Sequence, residues 1–492
     1  MLYKIGELRK PKTNVQMIQK MGLLKYHHLM AFLMTSAPEV AQEIRTTYMN
    51  SMGRTLHTLF RAYFAQLTKL TVEVATKSDL IAQLDEGPAS RLGGASSFTG
   101  GASRAAPERG AKGVDAFALG SRDGILNEVD REPILVHVAL AEGATYPYEA
   151  IFRSVTKHLM DAATNEYLFG MDFFQDRSFD TFNQIFSRSV SLCLENLENY
   201  LFGCWDAVGL LLLIKLTHAQ RNVMQRRRVP VLDSFFDRIN MLLWPRLKLV
   251  LDAHLKSVEG ASASKLGATS TSTHFVTKRF AEFAASILTL HGGMESLGIA
   301  GGGEEMLLKD MTKLRLSFLA LQRRLSEELP GSKQRLVFQI NNCDAVLAIY
   351  GERGIVGDEC SQFEELLAAH RGLFVEEELL SGFGALIAFV QQAEALGDEP
   401  ADPAVVETLV REFAGSWKGG IEAIYQSVIQ SFGNFRNGMD ILKQVLTQLL
   451  LYYTRFQECI KKTWGRRLPP FAKDIVSTAT ILAEIKKYSR AI

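Results

Sequence analysis

Apolar residues recur every three or four positions near the end of the chain, most regularly between Ile421 and Ile460. The members of this series are Ile421, Tyr425, Val428, Phe432, Phe435, Met439, Leu442, Leu446, Leu449, Tyr453, Phe456 and Ile460. Their steps alternate between four and three, which predicts one helix of about 60 Å that buries this seam against other helices. Further apolar residues widen the face and favour a bundle over a two-stranded coiled coil. Gly433 and Gly438 lie inside the series and either let a neighbouring helix approach or mark a break.

Three-and-four spacing extends over most of the remaining chain and predicts a series of further helices. One starts after Pro38 and reaches roughly residue 82, and others cover Tyr148–Phe174 and Phe275–His291. The chain has no sustained alternation of apolar and polar residues, and its 13 prolines are about half the usual share, which suits helix interiors. The sequence therefore predicts an all-α protein, an elongated rod of stacked helical bundles.

Composition divides the chain into five predicted segments. Between Asp85 and Ala116 the residues Gly, Ala, Ser and Arg dominate, so this stretch cannot bury enough apolar surface to offset its ordering entropy. The segments are N-terminal helices at 1–84, a disordered low-complexity insertion at 85–118, a central helical bundle at 119–259, a helix flanked by flexible loops at 260–303, and a C-terminal helical bundle with the long helix 421–460 at 304–492.

Charge and cysteine content narrow the class of protein. The 55 Lys and Arg residues balance 54 Asp and Glu residues, which argues against nucleic acid or an anionic membrane as the main partner. The five cysteines are scattered and form no CxxC pair, so we expect a reducing compartment and neither a disulfide framework nor a zinc site. The longest apolar run, Ala207–Ile214, is far shorter than the roughly 20 residues of a membrane helix. These features favour a soluble cytosolic protein.

Reactive side chains form no catalytic or metal-binding motif in this sequence. It contains no HExxH and no GxSxG elbow, and the Gly-rich stretch Gly298–Gly303 lacks the preceding strand that a nucleotide-binding loop needs. We therefore expect no enzyme activity and no cofactor. The basic triplet Arg226, Arg227 and Arg228 has two interpretations: cations that favour a helix C-terminus, or a docking site for an acidic partner.

Short stretches spread along the whole chain resemble one known family. They are Arg9–Asn14, Leu23–Tyr26, Tyr146–Ser154, Glu166–Phe169, Trp205–Val208, Arg227–Asp233, Leu243–Arg246, Arg279–Phe283, Phe338–Asn342, Ser431–Gly438, Leu446–Leu449 and Glu484–Lys487. Taken in this order they are similar to the vacuolar protein sorting-associated protein 52 family, whose members are subunits of the GARP vesicle-tethering complex. The resemblance runs from near residue 7 to the end of the chain.

This resemblance implies a non-catalytic subunit of a tethering complex that captures endosome-derived vesicles at the trans-Golgi network, in retrograde transport and endocytic recycling. The implied partners are the other subunits of the GARP and endosome-associated recycling complexes, SNAREs, and Rab-family or Arf-like small GTPases. The implied location is cytosolic, peripheral on trans-Golgi network and endosome membranes through those partners. Family members begin with an additional coiled-coil region, so residues 1–84 are expected to be the end of a longer helical region. From the residues alone, the alternative is an unrelated helical scaffold, or an enzyme whose site is assembled from distant helices.

Overall fold

The computed structural model describes residues 1–10, 13–84, 115–176, 178–267, 270–293, 302–396, 402–464 and 469–489. The α-helices are α1 (Leu2–Glu7), α2 (Val15–Met17), α3 (His27–Ser36), α4 (Pro38–Leu67), α5 (Val136–Glu142), α6 (Tyr148–Phe174), α7 (Asp180–Gly203), α8 (Ala207–Arg226), α9 (Asp233–Glu259), α10 (Ala263–Leu266), α11 (Phe275–His291), α12 (Gly302–Glu327), α13 (Ser332–Glu352), α14 (Asp358–Leu396), α15 (Pro403–Ser431), α16 (Phe435–Trp464) and α17 (Thr478–Ser489). A π-helical turn covers Ile18–Leu23, and 3₁₀ turns cover Leu24–Tyr26, Thr68–Leu70, Arg122–Leu126 and Ala472–Asp474. No β-strand forms within the described ranges, so the all-α prediction is confirmed.

Helix α4 is shorter than the sequence predicts. It ends at Leu67 and continues as one 3₁₀ turn to Leu70, whereas the apolar spacing predicted a helix to roughly residue 82. Beyond this point Val72 donates its backbone N–H to the Tyr146 carbonyl at 2.9 Å, and Tyr146 donates to the Leu70 carbonyl at 2.8 Å. The predicted end is wrong because β-branched residues follow Leu70 closely, and they favour extended backbone over a helix.

The chain forms two compact units, each with its own set of packed helices. Unit 1 contains Met1–Gly260 and Glu282–Ser317, and unit 2 contains Ala261–Ala281 and Phe318–Ile492. In unit 1, helix α8 packs against α6 and α9. Every residue of α8 from Ala207 to Thr217 is buried, as expected for a core helix with neighbours on several sides.

In unit 2 the structure corrects the predicted long helix 421–460. Two helices replace it, because α15 ends at Ser431 and α16 starts at Phe435 after a three-residue turn. Phe432 has an extended backbone with φ −117° and ψ 114°, which ends the helical hydrogen bonding. A Cβ at Gly438 would lie 3.5 Å from the Cβ of Phe432, an ordinary van der Waals contact, so the start of α16 lies against the turn without requiring glycine at this position.

The seam is buried at nine of its twelve positions, whereas Tyr425 and Met439 are half-buried and Phe435 is exposed. Its buried members are Ile421, Val428, Phe432, Leu442, Leu446, Leu449, Tyr453, Phe456 and Ile460. Phe435 is 58% exposed in the first turn of α16, so its predicted burial is wrong. Phe413 of α15 stacks on Tyr453 of α16 with 4.4 Å between ring centroids. The seam spacing continues through the turn because both helices direct their apolar sides toward one core.

Two predicted features fall mainly outside the described residues. The insertion 85–118 is described only at residues 115–118, and the Gly-rich stretch 298–303 only at its last two residues. For residues 115–118 the prediction of disorder is wrong, because Phe117 is buried in unit 1. The Ser286 hydroxyl donates to the Phe117 carbonyl at 3.0 Å and accepts the Leu119 N–H at 2.7 Å, which fixes this end of the segment.

Candidate functional site

The basic triplet predicted as a docking site forms the C-terminal end of α8. Arg226 is the last helical residue, and Arg228 follows in the left-handed region with φ +58°. The Val229 N–H donates to the Met224 carbonyl at 3.1 Å, and the Arg228 N–H donates to the Gln225 carbonyl at 2.9 Å. These are the two hydrogen bonds of a Schellman motif. Cations at this end also interact favourably with the helix dipole, so the helix-terminus interpretation fits the local geometry.

The three arginines of this triplet differ in their surroundings. The Arg227 guanidinium lies 3.0 Å from Asp161 and 3.4 Å from Asp130, and it donates to the Thr164 hydroxyl at 3.2 Å. The other two arginines are exposed and pair with no acidic residue in the part of the chain that the structure describes. The triplet therefore combines one arginine that ties α8 to neighbouring elements with two that remain available to an acidic ligand.

A buried charge cluster, here called the clasp, holds the other end of α8. Asp206 caps the helix by accepting the backbone N–H of Gly209 at 2.8 Å. The Arg122 guanidinium donates to Asp206 Oδ2 at 2.5 Å and to Glu149 Oε1 at 2.6 Å. All three charged side chains are buried. Two carboxylates around one guanidinium give the clasp a net negative charge, which the N-terminus of α8 partly offsets.

The clasp keeps its arginine charged and excludes other side chains. Burial acts to lower the pKa of Arg122, but the charges of Asp206 and Glu149 outweigh burial and raise that pKa above its ordinary value. A Cβ at Gly209 would lie 2.5 Å from Asp206 Oδ2 and 2.8 Å from an Arg122 nitrogen. Glycine is therefore required where the clasp meets the helix backbone.

Next to the clasp, the last turn of helix α7 presents an aromatic side chain to solvent. Phe202 in this helical turn is 89% exposed, just before the short connection between α7 and α8. Arg246 of α9 fixes this connection by donating through Nε at 2.9 Å and Nη2 at 2.5 Å to the Cys204 carbonyl. The same guanidinium lies 5.1 Å from the ring centroid of Trp205, within range of a cation–π contact.

Three sequence motifs that lie far apart in the chain meet around this connection. They are Tyr146–Ser154, Trp205–Val208 and Leu243–Arg246. Tyr148 from the first motif stacks on Tyr200 with 3.4 Å between ring centroids. Sequence reasoning missed Arg122, which lies in a stretch without helical spacing, and Phe202, which lies at the end of a predicted helix. One local signal was available, because an aspartate such as Asp206 directly before an apolar run is a typical N-cap.

A second buried polar cluster in unit 1 joins three helical elements. The Glu166 carboxylate on α6 accepts the Tyr48 hydroxyl of α4 at 2.6 Å and the Gln19 amide of the π-helical turn at 2.8 Å. Burial raises the pKa of Glu166 to about 7, although both hydrogen bonds act to lower it. The cluster therefore contains a carboxyl group that titrates near neutral pH.

In unit 2 a neutral network holds the start of α11. Asn342 Oδ1 accepts the backbone N–H of His274 at 2.9 Å and the Thr277 hydroxyl at 2.6 Å, so a residue of α13 caps another helix. The Asn342 amide donates to the Phe338 carbonyl at 2.7 Å, and Gln322 donates to the Thr277 hydroxyl oxygen at 3.0 Å. Amide, hydroxyl and backbone groups form all of these bonds.

The preceding asparagine fixes a second helix end in unit 2. The Asn341 amide donates to the Thr271 carbonyl at 2.8 Å and to the Ser431 carbonyl at 3.0 Å. Ser431 is the last residue of α15, where backbone carbonyls lack helical partners. The asparagine pair of the Phe338–Asn342 motif therefore has a structural role, since each amide orders the end of a different helix.

Metal-binding, thiol and membrane-spanning features can be stated for the described residues. No group of three or more His, Cys, Asp or Glu side chains within them is arranged to hold a metal ion. None of their helices combines the length and apolarity needed to cross a bilayer. All five cysteines are free thiols, and burial raises the pKa of Cys193 to about 12, which suppresses its thiolate at neutral pH.

Proteins of one family are similar to this chain over nearly its whole length. The family model described as Vps52, C-terminal, matches residues 50–375. The chain is 40% identical over 494 residues to vacuolar protein sorting-associated protein 52 A of Arabidopsis thaliana. It is 33% identical over 500 residues to the vacuolar protein sorting-associated protein 52 homolog of Homo sapiens. Both alignments cover 99% of this chain and 66% of the relative, so the chain spans about two thirds of the length of these relatives.

The described helices are those of an all-α protein, and the relatives are vacuolar sorting proteins by name. This chain belongs to the vacuolar protein sorting-associated protein 52 family, and the resemblance carried by its short motifs is confirmed.

Proposed function

We propose that this chain is a non-catalytic subunit of a multisubunit tethering complex that captures endosome-derived vesicles at the trans-Golgi network, in retrograde endosome-to-Golgi transport and in endocytic recycling. Its partners are the other subunits of the GARP and endosome-associated recycling complexes, SNAREs, and Rab-family or Arf-like small GTPases. It is cytosolic and attaches to trans-Golgi network and endosome membranes through these partners. The observation that carries this proposal is the family relationship, which extends over 99% of the chain.

Affinity purification of the tagged full-length protein, followed by identification of the bound proteins, tests this function. We expect recovery of a stable assembly with three other large coiled-coil subunits, because long helical seams are buried best between several helices. The same tag on an unrelated helical protein is the control. Recovery of the chain without such subunits, or only with a small-molecule ligand, would contradict the proposal.

The exposed part of the basic triplet supports a second, more local proposal about this assembly. We infer that Arg226 and Arg228 dock an acidic segment of one partner, whereas Arg227 serves the fold through Asp161. The side chains of Arg226 and Arg228 are exposed and pair with no described acidic residue. A partner carboxylate that binds them therefore breaks no existing ion pair.

Charge reversal separates docking from helix termination at this triplet. The double variant Arg226→Glu with Arg228→Glu is expected to lose a subunit in the purification while its unfolding midpoint remains close to that of wild type. The matched control is Arg188→Glu with Arg238→Glu, which reverses two exposed arginines elsewhere in unit 1. If the triplet variant retains every subunit, the arginines act only at the helix terminus.

A further inference from the structure

Positive charge is concentrated at one end of a chain that is neutral as a whole. Residues 1–36 contain six lysines and arginines but a single acidic residue, Glu7, whereas the whole chain has 55 basic and 54 acidic residues. Glu7 lies 2.8 Å from the Lys4 amine and 3.7 Å from that of Lys10, so its charge is compensated locally. The described residues of this stretch therefore carry a net positive charge, with Lys4, Arg9, Lys10, Lys20 and Lys25 against the single Glu7.

Exposed apolar side chains lie along the same stretch. Residues 15–36 form α2, the π-helical turn, one 3₁₀ turn and α3 in direct succession. The exposed apolar residues among them are Met17 and Met21 in α2 and the π-helical turn, and Leu29 and Phe32 in α3, with the exposed Lys25 between the two pairs; the backbone leaves the helical region at Tyr26, with φ −101° and ψ 14°. Met21 is 72% exposed and Phe32 is 60% exposed, whereas Leu23 and Met30 on the same segment are buried. The segment is thus amphipathic, with apolar residues on its exposed side as well as on its buried side.

Helix α1 adds two exposed apolar residues beside these. Tyr3 is 74% exposed and Leu2 is also exposed. Lys4 lies against the π-helical turn, because its Cδ is 3.7 Å from the position that a Cβ would take at Gly22. The exposed side chains Leu2, Tyr3, Met17, Met21, Leu29 and Phe32, with Lys20 and Lys25, are called the N-terminal face here.

We propose that the N-terminal face binds directly to the surface of an anionic lipid bilayer. Lysines on such a face attract anionic headgroups, and the apolar side chains between them enter the boundary between headgroups and acyl chains. This contact is superficial, since no described helix is able to cross a bilayer. The inference goes beyond the proposed function, in which membranes are reached through partners, and it rests on the charges and exposure of this chain alone.

The pattern of side chains favours a membrane over a protein as the ligand. The N-terminal face combines six exposed apolar side chains with two exposed lysines, whereas an amphipathic partner helix is held in a concave apolar groove. No acidic residue occurs between Glu7 and Glu39, so the charge on this stretch has one sign throughout. Uniform positive charge matches the uniform negative charge of headgroups, whereas protein interfaces are specified by complementary patterns of both signs.

Vesicle flotation with the purified chain tests this inference. We expect the chain to float with vesicles of phosphatidylcholine and roughly one third phosphatidylserine, but not with phosphatidylcholine alone, and less at high salt. Met21→Glu with Phe32→Glu, and separately Lys20→Glu with Lys25→Glu, should each lower the bound fraction about tenfold. The matched control is Met241→Glu with Leu380→Glu, which places acid on exposed apolar positions elsewhere and should bind as wild type.

Three outcomes would overturn the inference. The first is wild-type chain that floats equally with anionic and neutral vesicles, or with neither. The second is an N-terminal variant that folds, as judged by its melting temperature, and still binds as the control does. The third is a variant that keeps vesicle binding but loses a soluble subunit in affinity purification, which would identify an acidic protein segment as the ligand. Wild-type chain that floats with anionic vesicles but recovers no coiled-coil subunits in affinity purification would instead contradict only the proposed tethering function.

Discussion

Both units fix the start of a helix with a buried side-chain network, but the chemistry of the two networks differs. In unit 1, Asp206 caps α8 and is held by Arg122 within the charged clasp. In unit 2, Asn342 caps α11 and belongs to a network of neutral groups with Thr277. A buried charge that loses its partner is left uncompensated at a cost of several kcal/mol, whereas a neutral group that loses one hydrogen bond costs less. Removing the central residue of the network is therefore expected to cost more free energy of unfolding in unit 1 than in unit 2.

Replacing Arg122 by Met is expected to cause the largest loss in the free energy of unfolding among the variants that test this comparison. The change leaves the Glu149 and Asp206 carboxylates buried without their cation, and it should lower the free energy of unfolding of unit 1 by about 3–5 kcal/mol. Urea unfolding followed by hydrogen exchange of unit 1 peptides measures this loss. The control is Arg131→Met, because Arg131 and Glu128 form an exposed pair at 2.6 Å that contributes under about 1 kcal/mol. Similar small losses in both variants would remove the distinction between the units.

In unit 2, the largest loss of stability is expected from a change in the apolar seam. Leu446→Ala should lower the free energy of unfolding by about 2–5 kcal/mol, because the surroundings of a buried leucine refill the cavity only partly. Phe435→Ala on the same helix should change it by less than about 0.5 kcal/mol, since that ring is largely exposed. Chemical denaturation of the two variants makes the measurement. An unchanged midpoint for Leu446→Ala would mean that the seam is an interface with a partner.

Unit 1 also contains the Glu166 cluster, whose charge changes near neutral pH. The contribution of this buried carboxyl group to stability can therefore be measured by varying the pH. The pKa of Glu166 is about 7 in the folded chain, above its ordinary value of 4.5, so folding takes up a proton between these values. Its contribution to stability is therefore complete below about pH 4.5 and is lost as the pH rises toward 7, by up to about 3 kcal/mol. Burial lowers the pKa of His254 to about 3, so that imidazole makes stability rise with pH up to its ordinary value of 6.5. The decline is therefore measured as the difference between wild type and Glu166→Gln in denaturant unfolding of unit 1 between about pH 5 and pH 8.

The control for this titration is Glu166→Gln, which should abolish the decline because an amide does not titrate. Asp176 does not titrate in this pH window. Burial acts to raise the pKa of Asp176, but hydrogen bonds from Thr181 and Ser178 outweigh burial and hold that pKa well below its usual range. The Asp176 carboxylate loses its stabilising contribution as the pH falls into the acid range, whereas the contribution of Glu166 is lost as the pH rises. A slope that persists unchanged in Glu166→Gln would show that another group is responsible.

The smallest expected effect belongs to the neutral network of unit 2. Asn342→Ala should cost about 1–3 kcal/mol, because the buried Thr277 hydroxyl and the half-buried His274 N–H lose their acceptor. Asn342→Asp keeps an acceptor for His274 but places a charged oxygen beside the Phe338 carbonyl, so it should cost at least as much. Thermal and urea unfolding of both variants test this. Wild-type stability of Asn342→Asp would show that neutrality is not required here, and the contrast with the clasp would fail.

Most helices could be predicted from apolar spacing because burial of one helical side is a local property of the sequence. Tyr148–Phe174 and Phe275–His291 have the predicted bounds in the structure. The turn after Ser431 could not be predicted, since α15 and α16 present the same spacing to one core and the pattern passes through it. Phe435 was assigned to the seam for the same reason, although it stands at the start of a new helix.

The candidate sites were harder to predict because long-range contacts determine them. Arg122 and Asp206 are 84 positions apart, and no spacing rule relates two such residues. The basic triplet was visible as charge, but only the structure shows that Arg227 lies against Asp161 while its neighbours remain exposed. The near-zero net charge also concealed the basic N-terminal face, because acidic residues elsewhere in the chain cancel it. The sum of charges therefore gave an incomplete picture of possible ligands.

The division of α11 and α12 between the units has a consequence for synthesis of the protein. Neither unit is continuous, because unit 1 needs Glu282–Ser317 and unit 2 begins with Ala261–Ala281. At about 5–20 residues per second, the first 260 residues wait several seconds on the ribosome before their missing segment is translated. During this interval the apolar side that α11 and α12 will cover stays exposed, so the nascent chain is a substrate for chaperones. For the same reason, a gene divided after Gly260 would encode a first fragment that lacks part of unit 1 and a second fragment that carries that missing part together with all of unit 2.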